Sequence, residues 1–98
     1  MALKYTLIGC GRISPNHIAA ALENGLHIAA ICDVVPSKMQ DLMRMFSLPD
    51  TIRNYVDYRA MLEKERPELA AIATESGNHA RIALDCIEYG CNLIIEKP

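Results

Sequence analysis

The sequence predicts an α/β fold: a three-layer, doubly wound parallel sheet of five strands in the order 3-2-1-4-5. Three observations predict it. Short apolar runs alternate with helix-period segments along all 98 residues, and such alternation implies parallel strands joined by crossover helices. The run at residues 27–32, His-Ile-Ala-Ala-Ile-Cys, is apolar at nearly every position, as a strand covered on both faces must be. A glycine-bounded turn, Gly9-Cys10-Gly11, joins the first apolar strand to the first helix. Right-handed crossovers then leave few topologies, and the expected crevice lies between strands 1 and 4 at their carboxyl ends.

The elements follow in order. The first strand covers residues 3–9. Ser14 reads as the N-cap of the first helix, with Pro15 at its first position. Ile18, Ala19, Ala21 and Leu22 give that helix its apolar face, and Gly25 its stop. The second strand, 27–32, ends at Asp33. Pro36-Ser37 opens a helix in which Met39, Leu42, Met43 and Phe46 fall at i, i+3, i+4 and i+7. Pro49-Asp50 breaks the chain before a short third strand at 51–54. A third helix is expected at 56–66, with Met61 and Leu62 inward and Pro67 ending it. The fourth strand is expected at 69–74. The fourth helix is expected at 77–89, with Ala80, Ala83, Leu84 and Ile87 as its inward face. The fifth strand is expected at 92–95.

Composition bounds the function. A chain of 98 residues, 51% of them hydrophobic, makes one domain with a real core. A formal net charge of −2 with mixed signs offers no basic face for nucleic acid. No apolar run reaches the ~18 residues that span a membrane. The four cysteines, Cys10, Cys32, Cys86 and Cys91, form no C-x-x-C pair. They read as buried, reduced thiols of a cytoplasmic protein, and no metal site is expected.

Gly9 and Gly11 have a specific chemistry available. The first glycine permits a tight turn, and the second lets backbone approach a pyrophosphate without a Cβ in the way. The helix that follows presents free N–H groups and its positive dipole end to the anion. Ser14 stands where the dinucleotide fingerprint has a third glycine. Asp33 stands at the end of strand 2, where a carboxylate can accept both hydroxyls of an adenosine ribose. It would repel a 2′-phosphate, and no Arg follows it directly, so NAD is favoured over NADP. These features describe a Rossmann dinucleotide site. Arg12 has two readings, beside a phosphate or out in solvent.

Five motifs occur in one order: Gly9-x-Gly11-Arg12-Ile13; Asp33; Tyr55-x-Asp57-Tyr58-x-x-Met61-Leu62; Ala73-Thr74-x-Ser76-Gly77-x-His79; and Glu96-Lys97-Pro98. Together they resemble the N-terminal half of the glucose-fructose oxidoreductase/inositol dehydrogenase/MocA (Gfo/Idh/MocA) family. The resemblance implies an NAD(P)-binding domain over residues 1–98, with the family's C-terminal substrate domain absent from this chain. It implies an oxidoreductase moving hydride between NAD and an alcohol carbon of a sugar, nucleotide sugar or cyclitol, and a homo-oligomer in full-length form. This chain alone is expected to be inactive.

The resemblance also implies residue roles. Gly9, Gly11, Arg12, Ile13 and Asp33 would bind the cofactor, with Thr74 and Ser76 in the loop beneath it. Glu75 departs from the Pro usual there, and its carboxylate would need a partner or an outward turn. The family would place His79 on the cofactor side, while the residue by itself reads more readily as a helix-start histidine binding backbone. Glu96 and Lys97 would approach the nicotinamide, and Lys97 corresponds to the active-site lysine. Its ammonium can stabilise a developing alkoxide, or help take the hydroxyl proton if its pKa is lowered. A cis bond before Pro98 is plausible in that turn. Residues 11–17 and the ending Asn-Leu-Ile-Ile-Glu-Lys-Pro look most like the family's nucleotide-sugar 3-dehydrogenases. The alternative is a stand-alone nucleotide sensor, which leaves Glu96-Lys97-Pro98 unexplained.

Overall fold

The computed structural model describes residues 2–74 and 78–95. Among the described residues nine elements alternate: β1 (Lys4–Ile8), α1 (Ser14–Glu23), β2 (His27–Cys32), α2 (Pro36–Met45), β3 (Arg53–Tyr55), α3 (Tyr58–Glu65), β4 (Leu69–Ile72), α4 (His79–Glu88) and β5 (Asn92–Ile95). All strand pairs are parallel, and the sheet order is β3-β2-β1-β4-β5, as expected.

Burial on both faces explains why the central strands are apolar throughout. On one face Leu7, Ile31 and Ala71 pack with Ile18 and Ala21 of α1 and with Met39 and Leu42 of α2. On the other, Ile8, Ala30, Cys32 and Ile72 pack with Met61 and Leu62 of α3 and with Ile82 and Cys86 of α4. The register places Leu7 between Ile31 and Ala71, so the centre of the sheet is closed on every side. Among the described residues no helix is long and apolar enough to cross a membrane.

Element ends differ from the sequence expectation for identifiable reasons. Ser14 is the first helical residue, not the cap. Ile13 occupies the cap position, and the Ser14 hydroxyl donates to the Gly11 carbonyl (2.7 Å) where a cap would accept. The third strand begins at Arg53 because Ile52 still belongs to the turn after Pro49, donating to its carbonyl. The third helix starts at Tyr58 because Asp57 caps it, accepting from the Arg59 N–H (3.0 Å). Its C-cap is Arg66 in the left-handed conformation (φ 47°).

The fourth helix has the expected period and a different phase. Ile82 and Cys86 face the sheet, while Leu84 and Ile87 are exposed. Asp85 and Tyr89 lie towards α3, where they meet Tyr58 and Arg59, and Arg66, respectively. α4 carries two apolar stripes, and the sheet takes the one with Ile82 and Cys86.

Candidate functional site

The carboxyl ends of β1, β2 and β4 meet where the strand order reverses, between β1 and β4. Two of the loops there are in backbone contact. A Cβ built on Gly9 (φ +100°) would lie 2.7 Å from the Ala73 carbonyl carbon and 2.8 Å from the Thr74 nitrogen. Gly9 is therefore glycine for two reasons internal to the protein: its left-handed backbone, and the passage of β4's end against it.

Gly11 is different. A Cβ there would meet nothing within 4 Å, and its φ is not in the left-handed region. Nothing among the described residues requires a glycine at this position. The N–H groups of Gly11, Arg12 and Ile13 have no acceptor among the described residues, and α1 begins directly after them. Open space thus adjoins unfilled donors at a helix N-terminus, the arrangement that takes an anion. Arg12 is exposed, and Ile13 is half-buried against the α1–α2 core.

Asp33 closes the other side of the loop. Its Oδ2 accepts from the Cys10 N–H and its Oδ1 from the Val35 N–H, both at 2.8 Å. Each oxygen keeps a lone pair, and the carboxylate lines a cleft of about 530 Å³ that also contains Gly9, Gly11 and Thr74. Val34 and Val56 line the same cleft while 81% and 55% exposed. Such exposed aliphatic surface within a concave site suits an apolar, flat ligand group. Lys38, Arg59 and Arg81 add positive charge to the lining, against Asp33 and Asp57.

Arg59 is already partnered, through Nε to Asp85 (3.1 Å), which also accepts from the Tyr58 hydroxyl. That hydroxyl, with Arg59 and Arg81, holds the Asp85 carboxyl below its ordinary range. Cys10 and Cys32, under the cleft, have thiols pushed up to about 12 by burial, with Asp33 adding to the shift. Neither offers a thiolate nucleophile at neutral pH. Among the described residues no group of three His, Cys, Asp or Glu side chains is placed to hold a metal ion.

Thr74 sits at the cleft end of β4. His79 Nε2 lies 2.6 Å from the Thr74 carbonyl oxygen. A carbonyl only accepts, so Nε2 carries the hydrogen and His79 binds backbone at Thr74. Ser76, Glu96 and Lys97 lie outside the described residues, as do Glu75, Gly77 and the bond before Pro98. The structure therefore brings together Gly9, Gly11, Asp33 and Thr74 around one cleft, with Arg12 and Ile13 in the glycine loop beside it and His79 behind Thr74. Sequence reasoning missed Val34, Lys38, Val56 and Arg81. The signal for Val34 and Val56 was positional, since each follows a strand's carboxyl end, where an α/β sheet opens its crevice, while Lys38 and Arg81 lie in the first turns of α2 and α4.

The family model described as "Oxidoreductase family, NAD-binding Rossmann fold" matches residues 3–98. The chain is 32% identical over 96 residues to D-apiose dehydrogenase of Paraburkholderia graminis, covering 97% of the chain and 25% of that protein. It is 25% identical over 100 residues to inositol 2-dehydrogenase of Salmonella paratyphi B, covering 100% of the chain and 29% of that protein. Among solved structures, the WlbA dehydrogenase from Bordetella pertussis, in complex with NADH and UDP-GlcNAcA, is similar with a TM-score of 0.88 and 30% identity. That match covers 100% of this chain and 29% of that one. The chain spans less than a third of the length of these proteins.

Proposed function

The chain belongs to the Gfo/Idh/MocA oxidoreductase family, and from that premise we propose that it forms the NAD-binding domain of a dehydrogenase acting on a sugar, nucleotide-sugar or cyclitol alcohol. The observation that carries the cofactor assignment is Gly11. The described residues create no steric need of a glycine there, whereas a pyrophosphate approaching the N–H groups of residues 11–13, which have no acceptor among the described residues, does. The ribose hydroxyls would use the remaining lone pairs of Asp33, and the adenine would cover Val34 and Val56. The Asp33 carboxylate disfavours a 2′-phosphate by like charge, which supports NAD over NADP.

Bound NAD would supply a hydride acceptor. The chain's own residues would orient it: Gly11 admits the phosphates, Arg12 and Ile13 offer backbone donors, and Thr74 and Ser76 shape the loop below. Lys97, with Glu96, would stand beside the reacting hydroxyl, its ammonium stabilising the oxygen as the proton leaves. The chain spans less than a third of its relatives' length, and the 98 residues by themselves are expected to bind cofactor without turnover. A nucleotide sugar is the favoured substrate class, supported by the WlbA neighbour that holds UDP-GlcNAcA beside NADH. The dehydrogenase names of the relatives weigh against a stand-alone sensor.

The test is a fluorescence titration of NADH with the chain, which has no Trp to interfere. Saturable binding, weakened at least tenfold by Gly11→Ala, is expected. Absence of NADH binding by the wild-type chain, or unchanged affinity in Gly11→Ala, overturns the assignment.

A further inference from the structure

Asp33 does more here than face the cleft. The loop formed by Gly9 and Cys10 is fastened to the end of β2 at three points: the Gly9 N–H donates to the Cys32 carbonyl (2.8 Å), the Cys10 thiol to the same carbonyl (3.5 Å), and the Cys10 N–H to Asp33 Oδ2 (2.8 Å). The third bond is the one made by a charged acceptor, and such bonds are roughly twice as strong as neutral ones. The other carboxylate oxygen takes the Val35 N–H (2.8 Å), at the N-cap position of α2. One side chain therefore ties the glycine loop to the start of the second helix.

We propose that Asp33 is a positioning residue for the phosphate end of the ligand, holding Cys10 so that the next three N–H groups stay open towards the anion. This rests on the reading of the cleft as a dinucleotide site. The Cys10 N–H is consumed by the carboxylate, so it contributes nothing to the anion directly. It fixes the Gly9–Cys10 peptide plane, and Gly11 to Ile13 follow with their donors unfilled among the described residues. Without the carboxylate the Cys10 N–H would compete with its neighbours for the phosphate or for water. The loop would then lose the shape that the Gly9–Ala73 contact imposes from the other side. The ribose and phosphate contacts are thereby coupled through one carboxylate, although only the ribose would touch it.

The coupling separates from ribose binding by using a ligand without ribose hydroxyls. Affinities for 2′,3′-dideoxyadenosine 5′-diphosphate and for ADP are measured by calorimetry on the wild-type chain, Asp33→Ala and Asp33→Asn, with circular dichroism to verify folding. Hydrogen exchange of the Cys10 amide, read by NMR, reports the brace itself. Loss of a charge-assisted bond corresponds to roughly tenfold or more in affinity. Asp33→Ala is expected to weaken dideoxy-ADP about tenfold and to abolish protection of the Cys10 amide. Asp33→Asn, which keeps one neutral acceptor and serves if the alanine variant does not fold, is expected to show an intermediate loss of both. If the wild type binds both ligands and either variant weakens ADP while leaving dideoxy-ADP within about twofold, Asp33 serves the ribose alone and the inference is overturned. A wild-type chain that binds neither ligand nor NADH overturns the dinucleotide reading and the inference with it.

Discussion

The two glycines of the first loop should respond in opposite ways to the same substitution. In Gly9→Ala the new methyl would sit 2.7–2.9 Å from three backbone atoms of Ala73 and Thr74, at a φ of +100°. Left-handed strain in an L-residue costs about 1–2 kcal/mol, and overpacking against an unyielding neighbour about 1–3 kcal/mol. The contacts are backbone on both sides, so no rotamer change relieves them, and the loss is about 2–5 kcal/mol. Unfolding entropy of about 2.1 cal/mol/K per residue gives about 0.2 kcal/mol/K for a chain of this length, so Tm falls by about 10–25 °C. Gly11→Ala meets open space at an ordinary φ, where loss of unfolded-state freedom stabilises by about 0.4–1 kcal/mol. Its Tm should rise by about 2–5 °C while NADH affinity falls at least tenfold. Circular-dichroism melts and NADH titration of both variants read these effects side by side. A Gly9→Ala melt within about 2 °C of wild type, or a Gly11→Ala variant that binds NADH normally, would refute the reasoning.

Three further outcomes are expected. The thiols of Cys10, Cys32 and Cys86 are each pushed from 9.0 up to about 12, chiefly by burial. The folded state thus keeps protons that the unfolded chain releases, and stability present below pH 9 is lost as pH climbs towards 12; urea midpoints that stay flat from pH 8 to 11 would contradict this. At the acid end, burial raises the Glu65 carboxyl, but the Tyr55 hydroxyl (2.6 Å), Lys4 and Arg53 outweigh it and hold it below 4.5. Stability contributed by Glu65 is therefore present above that value and lost as pH falls through the folded one; Glu65→Gln should cost about 1–3 kcal/mol at neutral pH and flatten the acid limb, and an unchanged limb would count against the pairing. Asp57→Ala removes the cap of α3 and should lower stability by about 1 kcal/mol, seen as a Tm drop of about 5 °C; no drop would mean the cap bond is replaced by water.

The strand order was legible because the connections left almost no freedom. Helices between every pair of strands demand parallel pairing, and handedness does the rest. Phase was harder than period. In α4, residues 80, 83, 84 and 87 make as good an apolar stripe as the one the sheet takes, and nothing local to the helix says which neighbour is the sheet. Ser14 misled for a related reason. A serine before a proline has cap chemistry, but the turn from Gly11 brings a carbonyl to its hydroxyl first. The candidate cleft was legible where a motif implies backbone geometry, at Gly9, Gly11 and Asp33. It was illegible at Val34, Val56 and Arg81, whose relation to the cleft comes from tertiary position and not from residue type.

Gly9 and Gly11 also show why a fingerprint on its own specifies less than its context. In this fold Gly9 answers to β4: strand 4 lies beside strand 1 only because the order reverses there, and its end passes so close that a Cβ cannot fit. A glycine at this position therefore marks the switch point, with or without a ligand. Gly11 answers to nothing among the described residues, and Asp33 gives one carboxylate oxygen to the residue between the two. A loop built only to turn would need Gly9 and could dispense with both Gly11 and the carboxylate that braces it. The physical evidence for a ligand is thus the part of the motif that the protein's own packing leaves unexplained.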